Sequence, residues 1–581
     1  MKAGMRHDDG STGGGSVSTF ASALRRVRVA VESNEGRAGL SPVISLAQTS
    51  GTLDAGLRSH CEVTTYPAGL GPRTPQQRRE FAERLVADHD VVVGCPDDAL
   101  LDARQRLRKK VAFVFLVPGA MSRGGAQVSR LLPQLRTSDV FVVNSRADAA
   151  AVGKFLANAR VRLLPWVVRD SVFSPMTKVE ASARRRSLGF GDDDRIVLYA
   201  GRLSLEKNVH TLLRMFSVVR KLEPTAHLVL AGEAPNIPFL EFGVFPLRTP
   251  MTLGHIVTSL GLHESVRYIG HVAQRELRSL YNVADVAINL TLHHAENFGL
   301  AQVEALACGT PVIGTLWGGL KDTIVPNTTG YGVSAIVSES GVKASWWEAV
   351  AHLIRVLRGR EKDALREGCL EFARQFSQSR HNATIGSIVA EALDAANGPA
   401  EPVRATAFGE AFWSECGPRP DSPPPYQRSR RAFELYRSMI DAYAGLSNAA
   451  IGFDVPLEPD QVLSLAAPIQ RPDAGAITIN DPIFPTELSV PRDICGVVSD
   501  VLDTIVERPV TTVARLFDGA PSDGARRASD WLLRSGVLLR TADAAFDVAA
   551  EKAAAAMSAP LVRIQRVSHD VDFVVKAAPA R

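Results

Sequence analysis

The sequence has little of several features that mark specialised classes of protein. Its net charge is only +4 over 581 residues, which is too small to make nucleic acid or a membrane surface a bulk electrostatic partner. The six cysteines stand far apart and form no Cys-x-x-Cys pair. This excludes the usual zinc and disulfide frameworks and favours free thiols in a reducing compartment. No apolar run is long enough to span a bilayer, and the start has no apolar signal-peptide core. We therefore expect a cytoplasmic protein.

What is present is a long chain of globular composition, 45% hydrophobic and 22% charged, so several domains are expected. A Gly/Ser-rich start predicts a disordered tail over residues 1–25. Two series of short Val/Ile-rich runs then alternate with helical patterns, which predicts parallel sheets with helices on both faces. The first series predicts an α/β domain over 26–175 and the second another over 176–398. Each should be doubly wound and Rossmann-like, with a ligand cleft at the carboxyl ends of its strands.

After the second series the composition changes. A proline-rich stretch predicts a linker over 399–427. The order strand, helix, helix, helix, strand then predicts a mostly helical, winged-helix-like accessory domain over 428–581. Arg526, Arg527 and Arg534 on its third helix offer contacts to DNA phosphate. Neither aromatic residues nor a dense basic patch accompany them, so nucleic acid is the less favoured partner.

The stretch "AENFGLAQVEALACGTPVIGT" contains the clearest chemical signal. Glu296 lies in the loop after a predicted strand, and Glu304 lies within the helix that follows. Phe298, Gly299 and Leu300 open that helix, where unpaired backbone N–H groups and the helix dipole attract an anion. An anion site between two hydroxyl acceptors suits a sugar joined to a nucleotide through a diphosphate. The alternative interpretation is a helix with acidic first turns and a solvated Glu304.

A second stretch, "LYAGRLSLEKN", supplies positive charge. Gly201 and Arg202 end a predicted strand, and Lys207 precedes the next helix. Two cations at the mouth of the cleft match a diphosphate and would neutralise the charge that develops as it leaves. The alternative is a pair of ordinary surface cations in a strand-to-helix loop.

Metal ligands are less convincing. The run "DDD" at 192–194 precedes a strand rather than following one, which indicates a solvated turn. His293 and His294 are adjacent, but no third ligand stands at metal spacing. We therefore predict no metal site.

Together these stretches resemble the retaining GT-B glycosyltransferases of family four, the group 1 transferases. The resemblance runs through "AGRLSLEKN", "HLVLAG", "VRYIGHV", "ENFGLAQVEALACGTPVIGT" and "GGLKDTI", over about residues 140–395. It implies a GT-B fold, in which two Rossmann-like domains face a cleft. It implies metal-independent transfer of a hexosyl group, with retention, from a UDP-, GDP- or similar nucleotide sugar, without a further cofactor.

The same resemblance assigns roles to the residues of the two stretches. Arg202 and Lys207 would hold the diphosphate, and Glu296 and Glu304 would hold the sugar and the ribose. The backbone of residues 298–300 would help both. We accordingly predict Arg202, Lys207 and Glu296 as catalytic. The predicted donor-binding residues are Gly201, Arg202, Lys207, Glu296, Phe298, Gly299, Leu300 and Glu304.

Departures from the family pattern concern mainly the first domain. No histidine accompanies "VAFVFLVPGAM", and His60 and His89 are interpreted as surface residues. The expected glycine-rich loop is reduced to Gly36 and Gly39. Asp322 stands where the family usually has Glu. The departures in the first domain favour the rival hypothesis, a non-catalytic GT-B scaffold that binds a nucleotide sugar or only a protein partner. The presence of Arg202, Lys207, Glu296 and Glu304 counts against this rival.

The accessory domain is predicted to recognise an acceptor or partner, which is a peptide, a protein or a glycan. It weakly resembles the peptide-binding winged helices attached to peptide-modifying enzymes. The edge of the short strand "AITIN" is expected to pair with an extended peptide.

Overall fold

The computed structural model describes most of the two predicted α/β domains and part of the accessory domain. The described residues are 24–33, 51–71, 73–117, 128–204, 207–233, 249–292, 296–338, 341–417, 429–440, 458–459, 462–465, 469–473, 475–479, 486–507, 510–517, 519 and 521–540.

The first domain contains a six-stranded parallel sheet in the order β2-β1-β3-β4-β5-β6. Every residue of β3 and β5 is buried, as expected for Val-rich strands that helices cover on both faces. The strand order reverses between β1 and β3, so a crevice is expected at their carboxyl ends. The strands are β1 (Arg28–Ser33), β2 (Glu62–Pro67), β3 (Val91–Gly94), β4 (Ala112–Leu116), β5 (Val140–Val143) and β6 (Arg160–Leu163).

The second domain contains another six-stranded parallel sheet, in the order β12-β11-β10-β7-β8-β9. Here the order reverses between β7 and β10, which brings the loops that follow these two strands side by side. The prediction of two doubly wound, Rossmann-like domains is confirmed. The strands are β7 (Arg195–Ala200), β8 (Ala226–Ala231), β9 (Val266–Gly270), β10 (Val286–Asn289), β11 (Val312–Thr315) and β12 (Gly330–Val333), followed by the hairpin β13 (Ala335–Ser338) and β14 (Gly341–Ala344).

Helices connect the strands of both sheets. Several begin at polar caps that the local sequence supplies: Thr74 and Gln77 form a capping box, and Ser145 Oγ accepts from the backbone N–H of Asp148 at 3.1 Å. The helices are α1 (Pro75–Asp88), α2 (Asp98–Leu107), α3 (Arg146–Phe155), α4 (Lys178–Ser187), α5 (Val209–Leu222), α6 (Thr249–Ser259), α7 (Gln274–Val283), α8 (Leu300–Ala307), α9 (Trp346–Gly359) and α10 (Lys362–Ala373). Among the described residues, no helix has both the length and the apolar character needed to cross a membrane.

Helix α11 (Gln378–Asn397) follows the second domain in the chain but packs on the first. Its Ile385 and Val389 are buried in one cluster with residues of β1 and β3. Glu391 accepts hydrogen bonds from Arg160 and Arg162 on β6. The chain thus crosses between the two domains twice, which restrains their relative position.

The segment 399–417 falls in the predicted linker and is packed on the first domain. Its backbone pairs with residues 135–137 and 156–158. Helix α12 (Ala407–Cys416) places Phe408, Phe412 and Trp413 around Phe155. Apolar burial therefore anchors a segment whose proline content suggested an open connector. Residues 418–428 of the predicted linker lie outside the described residues.

Helix α13 (Arg430–Ile440), placed in the accessory domain by the sequence, packs on α12. Lys154 of the first domain donates to Ser438 Oγ at 2.9 Å, and Ala432 and Met439 are buried. This helix is therefore attached to the transferase-like part of the chain.

The described part of the accessory domain contains two small antiparallel sheets, β16-β17-β18 and β19-β15-β20. Because β17 is the central strand of the first sheet, the expectation that the edge of "AITIN" is open to a peptide is wrong. The elements are β15 (Val462–Leu465), β16 (Ile469–Asp473), β17 (Ala476–Ile479), β18 (Thr486–Ser489), α14 (Cys495–Glu507), β19 (Val510–Thr512), α15 (Val513–Leu516), α16 (Asp523–Arg534) and β20 (Leu538–Arg540). The winged-helix assignment stays a prediction.

Candidate functional site

A cavity lies between the two α/β domains, at the carboxyl end of the second sheet. One wall is the connector from the first domain, and the other is the start of α8. The lining residues are Thr52, Trp166, Val167, Val168, Arg169, Phe173, Leu300 and Glu304. Two predicted donor-site residues, Leu300 and Glu304, therefore face a cavity.

The loop after β7 carries Gly201 and Arg202. The Gly201 N–H donates to Ala231 O at 2.9 Å, and Tyr199 Oη donates to Arg202 O at 2.5 Å. On the neighbouring strand, a Cβ at Gly232 would lie 1.8 Å from Gly201 O. These contacts hold the backbone of Gly201 against β8 and so fix the position at which the loop of Arg202 begins.

Lys207 and Glu296 form an ion pair, although 88 residues separate them in the sequence. Their side chains are 17% and 12% exposed. The pair brings together the loops that follow β7 and β10, the two strands at the reversal of strand order. Partial burial makes this pair stronger than a surface ion pair.

Helix α8 begins at Gly299, whose φ of +82° is left-handed. A Cβ there would lie 2.4 Å from Leu320 Cδ2, so both backbone conformation and space favour glycine. The N-cap residue, being glycine, has no side chain with which to cap the helix. The Phe298 ring is buried, 5.2 Å from the ring of Phe376 and 6.3 Å from that of Trp166. The side chain of Phe298 therefore packs into the core beside the site, and any role towards an anion falls to its backbone N–H.

The turn at Gly318 and Gly319 packs against the backbone of the Glu296 loop. The Gly319 N–H donates to Glu296 O at 2.9 Å. Gly318 has a φ of +53°, and a Cβ there would lie 2.1 Å from the same oxygen. The adjoining Asp322 accepts from the Arg146 N–H at 2.7 Å, across the domain boundary. The "GGLKD" segment thus connects the loop of Glu296 to the start of α3.

Glu304 is buried, with only 7% of its surface exposed, so the alternative of a solvated Glu304 is wrong. One carboxylate oxygen accepts from Tyr281 Oη at 3.3 Å. Burial raises the pKa of Glu304 to about 8, against the lowering effects of the Tyr281 hydrogen bond and the Arg169 charge. A buried carboxyl that lines a cavity is an acceptor kept away from water, which suits recognition of hydroxyl groups.

The candidate metal ligands are only partly described. In "DDD", Asp194 accepts from the Gly191 N–H at 2.7 Å, while Asp192 and Asp193 are exposed in the turn. His293 and His294 lie outside the described residues. No group of three potential ligands occurs in the part of the chain that the structure describes.

The histidines of the first domain are not surface residues, contrary to expectation. His60 is half-buried, and its Nε2 bonds to Asn382 O on α11 at 2.8 Å. His89 is buried, and its Nδ1 bonds to Leu85 O at 2.9 Å. Both bond to helix carbonyls, which accounts for their burial without a catalytic role. Gly36 and Gly39 lie outside the described residues.

Sequence reasoning missed three residues of the cavity region: Trp166, Arg169 and Tyr281. Trp166 and Arg169 belong to the connector "PWVVRDSVFSP", where an aromatic and a cation beside a predicted cleft were an available signal. Tyr281 gave no signal, because it lies within an amphipathic helix and is fully buried.

Residues 180–362 match the family described as glycosyl transferases, group 1. This match supports the coarser part of the resemblance, a group 1 glycosyltransferase, and it spans the loops of Arg202, Lys207, Glu296 and Glu304. Retention and the winged helix stay predictions.

Curated relatives cover the same part of the chain. Mannosylfructose-phosphate synthase of Agrobacterium fabrum is 32% identical over 165 residues, which are 28% of this chain and 34% of that protein. A D-inositol 3-phosphate glycosyltransferase of Streptosporangium roseum is 27% identical over 266 residues, 45% of this chain and 56% of that protein. The chain spans about a third to three-fifths of the length of the curated relatives it matches.

Solved structures with some likeness to the chain include the following two. Sucrose-phosphate synthase from Thermosynechococcus elongatus has a TM-score of 0.48 and 18% identity, over 64% of this chain and 100% of that one. Anabaena HepE in complex with UDP-glucose has a TM-score of 0.48 and 17% identity, over 63% of this chain and 100% of that one.

Proposed function

We propose that the protein is a retaining glycosyltransferase that moves a hexosyl group from a nucleotide-diphosphate sugar to an acceptor, without a metal ion. One observation carries the proposal. The Lys207–Glu296 pair, the start of α8 at Gly299 and the buried Glu304 lie together at the carboxyl ends of β7 and β10, where the strand order reverses. Parallel α/β sheets bind nucleotides at this position.

Each group has a role that its chemistry supports. The start of α8 and the cations Arg202 and Lys207 receive the diphosphate. Glu304 accepts from the ribose diol, and Glu296 accepts from the transferred sugar. In the structure Lys207 is paired with Glu296. When a diphosphate binds beside Lys207, the ammonium group lies between the Glu296 carboxylate and the diphosphate and is attracted to both.

The chemical step breaks the bond between the sugar C1 and the diphosphate oxygen and forms a bond from C1 to the acceptor oxygen. Attack on the face that the diphosphate leaves preserves the anomeric configuration. The departing diphosphate oxygen takes the acceptor's proton, so the protein need not supply a base. Charge on the diphosphate grows in the transition state, and Arg202 and Lys207 stabilise it there.

The test is ligand-induced stabilisation followed by transfer. UDP-glucose, GDP-mannose and ADP-glucose are screened by thermal unfolding, because a ligand selective for the folded state raises Tm. We expect one to stabilise the wild type and to be hydrolysed slowly. Glu304→Ala should lose that stabilisation, and Glu367→Ala, at an exposed position on α10, should keep it. Absence of stabilisation and hydrolysis with every donor would contradict the proposal. Loss of activity in EDTA, restored by manganese, would contradict metal independence.

The accessory domain is proposed to bring the acceptor, a peptide, protein or glycan, to the cleft. Helix α13 packs on the first domain and leads to the two small sheets of the accessory domain. A tethered acceptor is presented at a raised local concentration. A protein that binds the donor but transfers to no acceptor would instead favour the rival, a non-catalytic GT-B scaffold.

A further inference from the structure

Arg169 lies at a junction that the two predicted site stretches do not include. It belongs to the connector that leaves the first sheet after β6, and it lines the same cavity as Glu304. Its Nη2 donates to Gln274 Oε1, the first residue of α7 in the second domain. The guanidinium is therefore fixed on the helix that also carries Tyr281, the hydrogen-bond donor to Glu304.

Burial favours the neutral form of Glu304, whereas the hydrogen bond from Tyr281 and the charge of Arg169 favour the carboxylate. Tyr281 and Tyr199 are buried phenols, and burial holds the pKa of Tyr281 well above its usual value. Cys308, the C-cap residue of the helix that carries Glu304, is a buried thiol whose pKa burial raises to about 12. The cations Arg278, Lys362 and Arg366 act on Cys308. Among the described residues, Arg169 is the cation whose charge acts on Glu304.

We propose that Arg169 is a positioning residue of the donor site: held by Gln274, it supplies the positive charge that lets the buried Glu304 receive a ribose diol as a carboxylate. This inference rests on the proposed function. A carboxylate only accepts hydrogen bonds, whereas the protonated acid must itself donate one, so the ionised form suits a diol that donates twice. A diphosphate bound at the start of α8 adds negative charge nearby and opposes ionisation. Arg169 offsets both burial and that added charge.

The sign of the pH dependence follows. The pKa of Glu304 is raised to about 8, so the donor-binding carboxylate is gradually lost as pH falls through that value. Removing Arg169 raises this pKa further and moves the loss of affinity to higher pH. The effect of removing Arg169 should therefore be largest near neutral pH and should shrink towards the alkaline end.

The experiment measures the Kd of the best-binding of the three nucleotide sugars by calorimetry, between about pH 6.5 and pH 9. The diphosphate of a nucleotide sugar does not titrate in this range, and the Glu304→Gln profile corrects for any titration of the base. For Arg169→Gln we expect a midpoint about one pH unit higher and about tenfold weaker binding at neutral pH. Arg169→Lys should stay within about threefold of wild type, since it keeps the charge.

Two variants separate a charge effect from a structural one. Glu304→Gln should give a flat profile, and adding Arg169→Gln to it should create no pH dependence. Gln274→Ala removes the hydrogen bond but leaves the charge. It should weaken binding less than Arg169→Gln and leave the midpoint within about half a pH unit of wild type. If Gln274→Ala reproduces Arg169→Gln, the role of Arg169 is structural and the inference is wrong.

The remaining outcomes are equally decisive. Weakening by Arg169→Gln that is equal at all pH values would indicate direct contact with the ligand and overturn the inference. Unchanged binding would overturn it as well. Should Arg169→Gln fail to fold, the wild-type and Glu304→Gln profiles still test the inference: if both show the same pH dependence, ionisation of Glu304 does not control binding and the inference is wrong. If the wild type binds none of the three sugars, the proposed function itself fails.

Discussion

Glu304→Gln should make the protein more stable while making it a poorer donor binder. The substitution keeps the shape of the side chain and removes its ionisation. The pKa of Glu304 is 4.5 in an exposed reference state and about 8 when buried here. A difference of that size corresponds to on the order of 4–5 kcal/mol between the two protonation states.

The direction follows from proton linkage. Between these two values the folded protein binds more protons than the unfolded chain, so wild-type stability falls as pH rises through this window and is level above it. The glutamine variant lacks this loss. Its advantage should be small near pH 5 and should approach a few kcal/mol near pH 8, less whatever the Tyr281 hydrogen bond contributes.

The assay is urea unfolding of both proteins at several pH values, with the free energy of unfolding extrapolated to water. The two-domain chain requires that the transition containing Glu304 be followed by the same probe in both proteins. A difference between variant and wild type that does not change with pH would refute the reasoning, because Glu304 would then titrate as an exposed carboxyl. Substitutions that stabilise a protein by removing a buried charge from a binding site commonly weaken binding there.

Four other predictions concern separate parts of the molecule. Lys207→Met should lower kcat about a hundredfold or more with a smaller effect on KM, and a change in KM alone would make Lys207 only a binding group. Gly318→Ala should destabilise the protein and weaken donor binding. The control Gly261→Ala, at φ +65° with no atom within 4 Å of the added Cβ, measures only the backbone cost of about 1–2 kcal/mol. Equal losses of stability in the two variants would exclude a steric clash with the Glu296 loop. Glu391→Gln should lower the free energy of unfolding by about 1 kcal/mol near neutral pH and should leave it unchanged in acid. Partial burial alone would raise the pKa of Glu391, but hydrogen bonds from Arg162 and Arg160 lower it, so its contribution is present above the ordinary carboxyl pKa and lost as pH falls; a cost that persists in acid would contradict this. A protein truncated after Ile440 should keep α13 on α12, hydrolyse the donor and transfer poorly to its acceptor, whereas one truncated at Pro425 should also lose stability because it exposes α12; full transfer by the Ile440 truncation would contradict acceptor recruitment.

The sequence by itself determined the elements that carry the site. Short apolar runs between amphipathic stretches predicted the strands of the first sheet and β7 to β11 of the second, because burial between helices favours that composition locally. The glycine-rich β12 was not predicted. The loops of Arg202 and Glu296 were placed correctly at strand ends because such runs precede them. Gly299 likewise opens α8, where the left-handed backbone and the close approach of Leu320 leave room only for glycine.

The tertiary structure decided how distant segments meet. The pairing of Lys207 with Glu296, the burial of Glu304 against Tyr281 and the place of Arg169 in the cavity depend on packing between elements far apart in the chain. The packing of α11 and α12 on the first domain could not be predicted from the sequence pattern either. An apolar helix face shows that a helix is buried but does not say against which partner. Local residue patterns reflect backbone geometry and average burial, whereas the charge state of a buried carboxyl is set by neighbours that only the folded chain assembles.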